Sequence, residues 1–424
     1  MAERLAIHGG AATHVRGWPN WPQSTEQTKR HIEIVLESNR WSISGPYGGD
    51  VSWEQRFAFA FATFTGARYC IPSSTGTSSL TIALEACGVG AYDEVIVPGL
   101  SWVASASAVL GVNAVPVLVD VEANTGCLDS LALERAITSR TRAITVVHLG
   151  SAIADLDRLL EIADAHSIPL IEDCAQAHGA RYAGKHVGCF GAAGTFSMQH
   201  SKLLTSGEGG AVITQSSDIA RRLAHLRADG RTLLKLPPEV GEMELVETAE
   251  IMGNNHCLSE FHAAILVAQL EVLDDQLALR RKNAAILDRL LFSLGFMPQI
   301  SAAATTQRVH YTYVVRLPFT ITQRVSVACF AAALSVELGL PCKTMYQTLN
   351  NNHLYQPFSR KRFALSQAFV DAVEPSLHQL PMAEAFSQSC IVIPHRMLLA
   401  DEAAMHSVAD AFEKVARLLE CLRS

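Results

Sequence analysis

The sequence has no CxxC pair, since its ten cysteines are scattered from Cys70 to Cys421. A zinc site or a redox dithiol is therefore not expected, and the thiols are predicted to be reduced and mostly buried. The sequence also has no run of five basic residues, and its formal net charge is only -7. The charge pattern therefore does not favour nucleic acid as a partner.

Long apolar segments are absent as well. No stretch reaches the ~18 apolar residues of a membrane span, and the opening MAERLAIHGG has no long apolar run after its basic residues. We therefore expect no signal peptide, no membrane partner and a cytoplasmic location. With 49% hydrophobic and 18% charged residues, the chain has the composition of a globular protein and not of a disordered one.

Helical patterns alternate with short, β-branched apolar runs between about residue 53 and residue 215. Examples of these runs are DEVIVPG, AVPVLVDV, TRAITVVHL and IPLIEDC. This alternation predicts an α/β fold with a mostly parallel central sheet of about six to seven strands wrapped by helices.

A chain of 424 residues exceeds the usual size of one core, so more than one domain is expected. A long helical pattern follows residue 255, and YTYVVRL, CIVIPH and DEAAMHSVADAFEKVARLLE indicate two strands and a closing helix further on. We predict an N-terminal arm at 1–50, a large α/β domain at 51–255, a linking helix at 256–290 and a smaller α+β domain at 291–424.

Three polar segments follow apolar runs, and in a parallel sheet ligands bind beyond the carboxyl ends of the strands. The first is SSTGTSSL at 73–80. The backbone around Gly76 and the hydroxyls of Thr77 and Ser78 could hold a phosphate at a helix N-terminus. The alternative is that these residues simply cap the helix.

The second segment, IPLIEDCAQAHGA at 168–180, ends its strand on Glu172 and Asp173. Asp173 is either an ordinary loop carboxylate or the partner of a protonated ring nitrogen.

In the third segment, at 194–214, Lys202 lies between two strand-like runs and before a Gly-rich turn. A lone lysine is commonly a surface charge, but a partly desolvated one can form a Schiff base. A phosphate cup, a carboxylate and such a lysine are together what pyridoxal phosphate (PLP) requires.

Four longer segments carry a resemblance to a known family. They are VPGLSWVASASAV at 97–109, IEDCAQAHGA at 171–180, FSMQHSKLLTSGEGGAV at 196–212 and MGNNHCLSEFHAAIL at 252–266. Over nearly its whole length the chain resembles the DegT/DnrJ/EryC1/StrS aminotransferases, which implies a fold type I PLP-dependent transferase.

The resemblance also implies roles for individual residues. Lys202 would form the Schiff base with the cofactor, Asp173 would pair with the pyridine nitrogen, and Gln176 would lie beside the ring. Trp102, in a position otherwise typical of a core aromatic, would stack on the ring. The implied phosphate contacts are Thr77, Ser78, Ser197 and, from the neighbouring subunit of a homodimer with shared active sites, Asn255.

The substrates follow from the same resemblance. Cys257 stands where sugar-nucleotide members commonly have Arg, which favours the branch that aminates free cyclitols. The segments WPNWPQ and SNRWSISGPYGG resemble members that use L-glutamine to aminate 2-deoxy-scyllo-inosose or scyllo-inosose in aminoglycoside biosynthesis. Pyridoxamine phosphate would be the intermediate form of the cofactor. Candidate cyclitol contacts, each of which could equally be structural, are Tyr47, Tyr346 and His395.

Four alternatives are less favoured. A nucleotide keto-sugar aminotransferase would need cations such as Arg227 or Arg231 for its substrate's phosphates. A PLP-dependent dehydratase of this kind would carry His in place of Lys202. A non-catalytic PLP-binding regulator would not need Lys202, Asp173 and Trp102 together. A dinucleotide-binding oxidoreductase would need a GxGxxG after the first strand-like run, and the sequence has none there.

Overall fold

A computed structural model of the chain describes residues 3–234 and 238–422. In chain order, the strands are β1 (Tyr69–Ser73), β2 (Glu94–Pro98), β3 (Val115–Val119), β4 (Thr141–Val147), β5 (Leu170–Asp173), β6 (Arg181–Tyr182), β7 (Lys185–His186), β8 (Ala193–Ser197), β9 (Gly210–Thr214), β10 (Arg231–Leu233), β11 (Leu245–Glu247), β12 (Met297–Pro298), β13 (Thr305–Gln307), β14 (Thr312–Arg316), β15 (Lys343–Thr344) and β16 (Cys390–Pro394). The α-helices are α1 (Glu26–Ser38), α2 (Trp53–Thr65), α3 (Gly76–Ala86), α4 (Ala104–Gly111), α5 (Ser130–Ala136), α6 (Leu156–Ala165), α7 (Ser217–Arg227), α8 (Glu260–Ser293), α9 (Phe319–Thr322), α10 (Val327–Leu338), α11 (Gln367–Ala372), α12 (Pro381–Ser387) and α13 (Glu402–Arg417).

The large sheet has seven strands in the order β1-β9-β8-β5-β4-β2-β3. Only β9 runs against its neighbours, because it pairs antiparallel with both β1 and β8 while the remaining pairs are parallel. The predicted mostly parallel sheet of about six to seven strands is thus confirmed. The carboxyl ends of β1, β2, β5 and β8 therefore meet at one edge.

Helices cover both faces of this sheet, which explains the composition of its strands. Strand β2 reads EVIVP and is buried at every position, as expected for a parallel strand between two helical layers. Helix starts are fixed by side-chain caps: Ser52 and Gln55 form a capping box at α2, and Thr75 caps α3.

The C-terminal part of the chain builds a separate antiparallel sheet in the order β12-β14-β16-β15. The segments YTYVVRL and CIVIPH contain β14 and β16, which pair directly, and the closing helix is α13. Their core includes Phe330 and Phe412. This arrangement agrees with the predicted smaller α+β unit.

The predicted domain boundaries stay a prediction, and two features bear on them. Helix α8 spans Glu260–Ser293, close to the predicted linking helix at 256–290. Several residues that follow β15, among them Leu349, Phe369 and Leu380, belong to the core of the large sheet. Part of the 291–424 segment therefore returns to the large domain.

The cysteines are all free, and only Cys329 and Cys421 are exposed. Burial raises the pKa of the Cys127 thiol to about 12, so such groups stay protonated and pack as small apolar residues. Within residues 3–234 and 238–422, no helix combines the length and the apolar character needed to cross a membrane.

Candidate active site

A cavity of about 380 Å³ lies at the edge of the sheet where β1, β2, β5 and β8 end. Most of the residues singled out from the sequence share its wall, although they come from distant parts of the chain. These residues are Gly76, Thr77, Trp102, Asp173, Gln176, Ser197, Lys202 and Tyr346. The fold therefore brings the three predicted segments together.

One end of the cavity is the N-terminus of α3. Thr75 caps this helix by accepting the N–H of Ser78 at 2.9 Å. Because the first N–H groups of a helix lack partners within the helix, Gly76 and Thr77 can offer theirs to an anion. Position 76 requires glycine, since a Cβ there would lie 2.5 Å from the Cβ of Ser197. The helix start and the end of β8 thus form a tight cradle of backbone.

Asp173 is the last residue of β5 and is only 6% exposed. Its carboxylate accepts the N–H of Ala175 at 3.1 Å and the hydroxyl of Ser105 at 3.2 Å. Burial raises the pKa of this carboxyl, although these hydrogen bonds and the charge of Lys202 act to lower it. A second cation near Asp173 would favour its ionised form further.

Lys202 lies in the turn between β8 and β9, and its ammonium is 4.2 Å from the centroid of the Tyr311 ring. The Tyr311 hydroxyl is 3.0 Å from the hydroxyl of Ser201, the residue before the lysine. The lysine is therefore held against an aromatic ring at the cavity wall, and it is not a free surface charge.

His395 also supports this turn. Its Nδ1 accepts the Nε–H of the buried Arg280 at 3.3 Å, so Nε2 carries the proton and donates it to the carbonyl of Ser201 at 3.1 Å. Burial and the charge of Arg280 lower the pKa of His395 to about 3, and the ring is neutral. Both ring nitrogens therefore already have partners within the chain. The contact of His395 with substrate stays a prediction.

The aromatic residues and Gln176 enclose the cavity. Trp102 is 49% exposed, which suits a residue that covers a ligand better than a core position. Its ring centroid is 6.0 Å from that of Tyr346. The side-chain oxygen of Gln176 accepts the N–H of Gly150 at 2.7 Å, and this bond fixes the amide at the wall.

Besides His395, three predicted residues do not line this cavity within one chain. The Ser78 hydroxyl lies 3.0 Å from that of Ser74 and 2.8 Å from that of Thr75. Tyr47 donates its hydroxyl to the carbonyl of Gly49 at 2.9 Å. Asn255 is exposed and accepts the N–H of Cys257 at 3.2 Å. Their predicted roles stay predictions.

Two residues of the site were not found from the sequence. Ser105, in α4, donates a hydrogen bond to Asp173. The one sequence signal that could have indicated it is its position three residues after Trp102 in SWVASA. Tyr311 contacts Lys202 from the C-terminal part of the chain and gave no sequence signal. Such contacts arise only when distant elements pack together.

Comparison with known proteins gives consistent results. The DegT/DnrJ/EryC1/StrS aminotransferase family matches residues 22–413. The chain is 56% identical over 417 residues to the L-glutamine:2-deoxy-scyllo-inosose aminotransferase of Streptomyces lividus, with 98% of each covered. It is 55% identical over 415 residues to the L-glutamine:scyllo-inosose aminotransferase of Streptomyces griseus, again with 98% of each covered. The crystal structure of 3-amino-5-hydroxybenzoic acid synthase aligns with a TM-score of 0.81 and 33% identity, over 95% of this chain and 99% of that one.

Proposed function

Because this chain belongs to the DegT/DnrJ/EryC1/StrS aminotransferase family, we propose that it transfers an amino group from L-glutamine to a keto-cyclitol in aminoglycoside biosynthesis. The acceptor is 2-deoxy-scyllo-inosose or scyllo-inosose. The observation that carries this proposal is the 56% identity, over 98% of both chains, to an enzyme named for the first of these ketones.

The cavity of about 380 Å³ described above, called the first cavity from here on, fits PLP as the cofactor. The N-terminus of α3, packed without a Cβ against Ser197, suits a phosphate. The buried Asp173 carboxylate suits a protonated ring nitrogen, since a cation there offsets the effect of burial. Lys202 supplies the amine for covalent attachment, and Trp102 and Gln176 would contact the ring.

The chemistry divides between cofactor and protein. PLP, when bound, withdraws electrons from the donor and so makes the proton on its Cα removable. The amine of Lys202 would take this proton as a general base and return it as a general acid. Asp173 would keep the ring nitrogen protonated throughout. The second half of the reaction would use the same residues in reverse, with the ketone as acceptor.

Replacing Gly76 by Ala is expected to weaken cofactor binding. The new Cβ would force α3 and β8 apart at the cradle, at a cost of about 1–3 kcal/mol. If this cost falls on the PLP-bound form, the Kd for PLP should rise about five- to 150-fold. Titration of the apoenzyme with PLP, followed by absorbance, measures this. Gly90→Ala is the matched control, because a Cβ at position 90 meets open space. Equal PLP affinity in both variants would contradict the assigned cradle.

An uncharged acceptor suits the first cavity better than a nucleotide-linked sugar. Among the lining residues of that cavity, Lys202 is the only lysine or arginine, and a nucleotide diphosphate needs several fixed cations. The arginines considered for that role are already paired. Arg227 is 4% exposed and forms an ion pair with Glu54, and Arg231 lies 3.1 Å from Asp229.

The acceptor preference can be measured directly. We expect kcat/KM for 2-deoxy-scyllo-inosose or scyllo-inosose to exceed that for any nucleotide keto-sugar by about a hundredfold or more, because unpaired diphosphate charge is costly to bury. Steady-state assays with both acceptor classes, at one concentration of L-glutamine, make the comparison. A preference for a nucleotide keto-sugar would overturn the choice of acceptor but leave aminotransferase activity standing.

We also propose that the active unit is a homodimer with shared sites. The segment that contains Asn255 lies beside the phosphate cradle, since the carbonyl of His256 accepts the N–H of Ser74 at 2.8 Å. The Asn255 side chain nevertheless faces outward, and Met252 in the same segment is 94% exposed. A second copy would cover this apolar residue and receive Asn255 at its own phosphate site.

A further inference from the structure

A second cavity of about 420 Å³ adjoins the first. It lies between the Lys202 turn and the C-terminal sheet, with walls from β14, β15 and β16. The two cavities share four wall residues, Gln176, Ser201, Tyr311 and Tyr346. A ligand in the second cavity is therefore adjacent to the group that would do the chemistry.

The second cavity is positively charged. Lys343 and Arg396 line it, and no Asp or Glu is among its lining residues. Arg396 uses one N–H to bond the carbonyl of Pro19 at 3.1 Å. A guanidinium has five N–H groups in a planar fork, so most of the donors of Arg396 remain for a ligand.

A buried cation lies directly behind this wall. Arg280 is completely buried, its guanidinium is 4.7 Å from the centroid of the Trp21 ring, and its Nη1 and Nη2 have no hydrogen-bond partner. Trp21 and His395, which it contacts, both line the second cavity. Among the described residues no carboxylate forms an ion pair with Arg280. A buried charge without a counter-ion is costly, and an anion in the cavity would offset that cost.

Among the reactants of the proposed reaction, the amino donor carries an anionic group that fits the positively charged second cavity. The keto-cyclitol is uncharged, and the cofactor phosphate has the N-terminus of α3 in the first cavity. The donor amino acid carries an α-carboxylate one bond from the Cα that Lys202 must reach. We infer that Arg396, backed by the charge of Arg280, binds the α-carboxylate of the amino donor in the second cavity. This inference rests on the proposed function, because it takes an amino acid as the donor.

The two half-reactions separate donor binding from acceptor binding. In the first, PLP-loaded enzyme is mixed with L-glutamine and loss of the PLP absorbance is followed. In the second, pyridoxamine phosphate-loaded enzyme is mixed with the ketone. Arg396→Gln should raise the L-glutamine concentration for half-maximal rate about tenfold or more, as expected for losing a charge-assisted hydrogen bond. The ketone half-reaction should change less than about twofold, since its substrate makes no such bond.

Two further variants and one modified donor test whether Arg396 acts on the donor carboxylate. Arg396→Lys keeps the positive charge and should recover part of the loss. Arg289→Gln removes an exposed arginine of α8 that lines neither cavity and should leave both half-reactions unchanged. The α-carboxamide of L-glutamine should react poorly with the wild type, and Arg396→Gln should hardly distinguish it from L-glutamine.

Two kinds of outcome would overturn the inference. An unchanged L-glutamine dependence in Arg396→Gln would mean that the carboxylate binds elsewhere. A defect confined to the ketone half-reaction, or one that appears only with nucleotide keto-sugars, would mean that Lys343 and Arg396 bind the acceptor and not the donor. If the wild type does not react with L-glutamine, the proposed donor fails. The same comparison of Arg396 variants then decides the inference with whichever amino acid does react.

Discussion

Lys202→Ala is expected to abolish amino transfer, with a loss of at least about a thousandfold, while the protein stays folded. Lys202 is the only lysine or arginine in the wall of the first cavity, so no other amine is in place to hold the cofactor or to move the proton. Its packing against Tyr311 at the surface of the cavity contributes little to stability. Steady-state turnover and thermal unfolding measure the two effects.

Chemical labelling checks the same residue independently. Borohydride reduction of the PLP-loaded enzyme, followed by peptide mapping, should find the cofactor attached to Lys202. Lys185→Ala is a matched control, because this lysine also lies over an aromatic ring, 4.7 Å from the centroid of Phe190, but outside both cavities. A label on another lysine, or full activity of Lys202→Ala, would refute the assignment.

Asp173→Asn is expected to give the second largest effect. The amide keeps the shape of the carboxylate: its oxygen can still accept the N–H of Ala175, and its NH2 can donate to the hydroxyl of Ser105. PLP should therefore still bind. It no longer carries the negative charge that keeps the ring nitrogen protonated. The rate of proton removal from the donor Cα should therefore fall by about a hundredfold or more.

Single-turnover absorbance with saturating L-glutamine measures this rate apart from binding. Donor labelled with deuterium at Cα should then show a larger isotope effect in the variant than in the wild type, because proton removal has become slower. Asp371→Asn, which changes an exposed aspartate of α11 outside both cavities, serves as the control. Near-normal rates in Asp173→Asn would mean that another group pairs with the ring nitrogen.

Much of this site could be predicted because its residues lie at the ends of strands or in the turns that follow them. Asp173 ends β5, and Lys202 lies in the turn after β8. The alternation of apolar runs and helical patterns was enough to put both at the same edge of a parallel sheet. In the first segment Thr75 caps α3, while Gly76 and Thr77 line the cavity, and their contact with a phosphate stays a prediction.

The rest depends on packing between distant parts of the chain. Tyr311 reaches the site from just before β14, and Arg396 from the turn after β16. No local pattern distinguishes them from neighbouring residues of the C-terminal part of the chain. Arg280 stands in the long helix α8, where its sequence context is that of a solvated charge, yet it is completely buried. The presence of Cys257 in place of an Arg gave no information about Lys343 and Arg396, which the fold brings to the second cavity.

The most direct test of the proposed function is to follow the nitrogen atom. L-Glutamine carrying a heavy nitrogen isotope only at its α-amino group is incubated with the PLP-loaded enzyme and 2-deoxy-scyllo-inosose, and the products are analysed by mass spectrometry. We expect the aminocyclitol to contain the heavy isotope, with the corresponding keto acid formed in equal amount. An aminocyclitol labelled only when the side-chain amide carries the isotope, or no aminocyclitol from either inosose, would contradict the account.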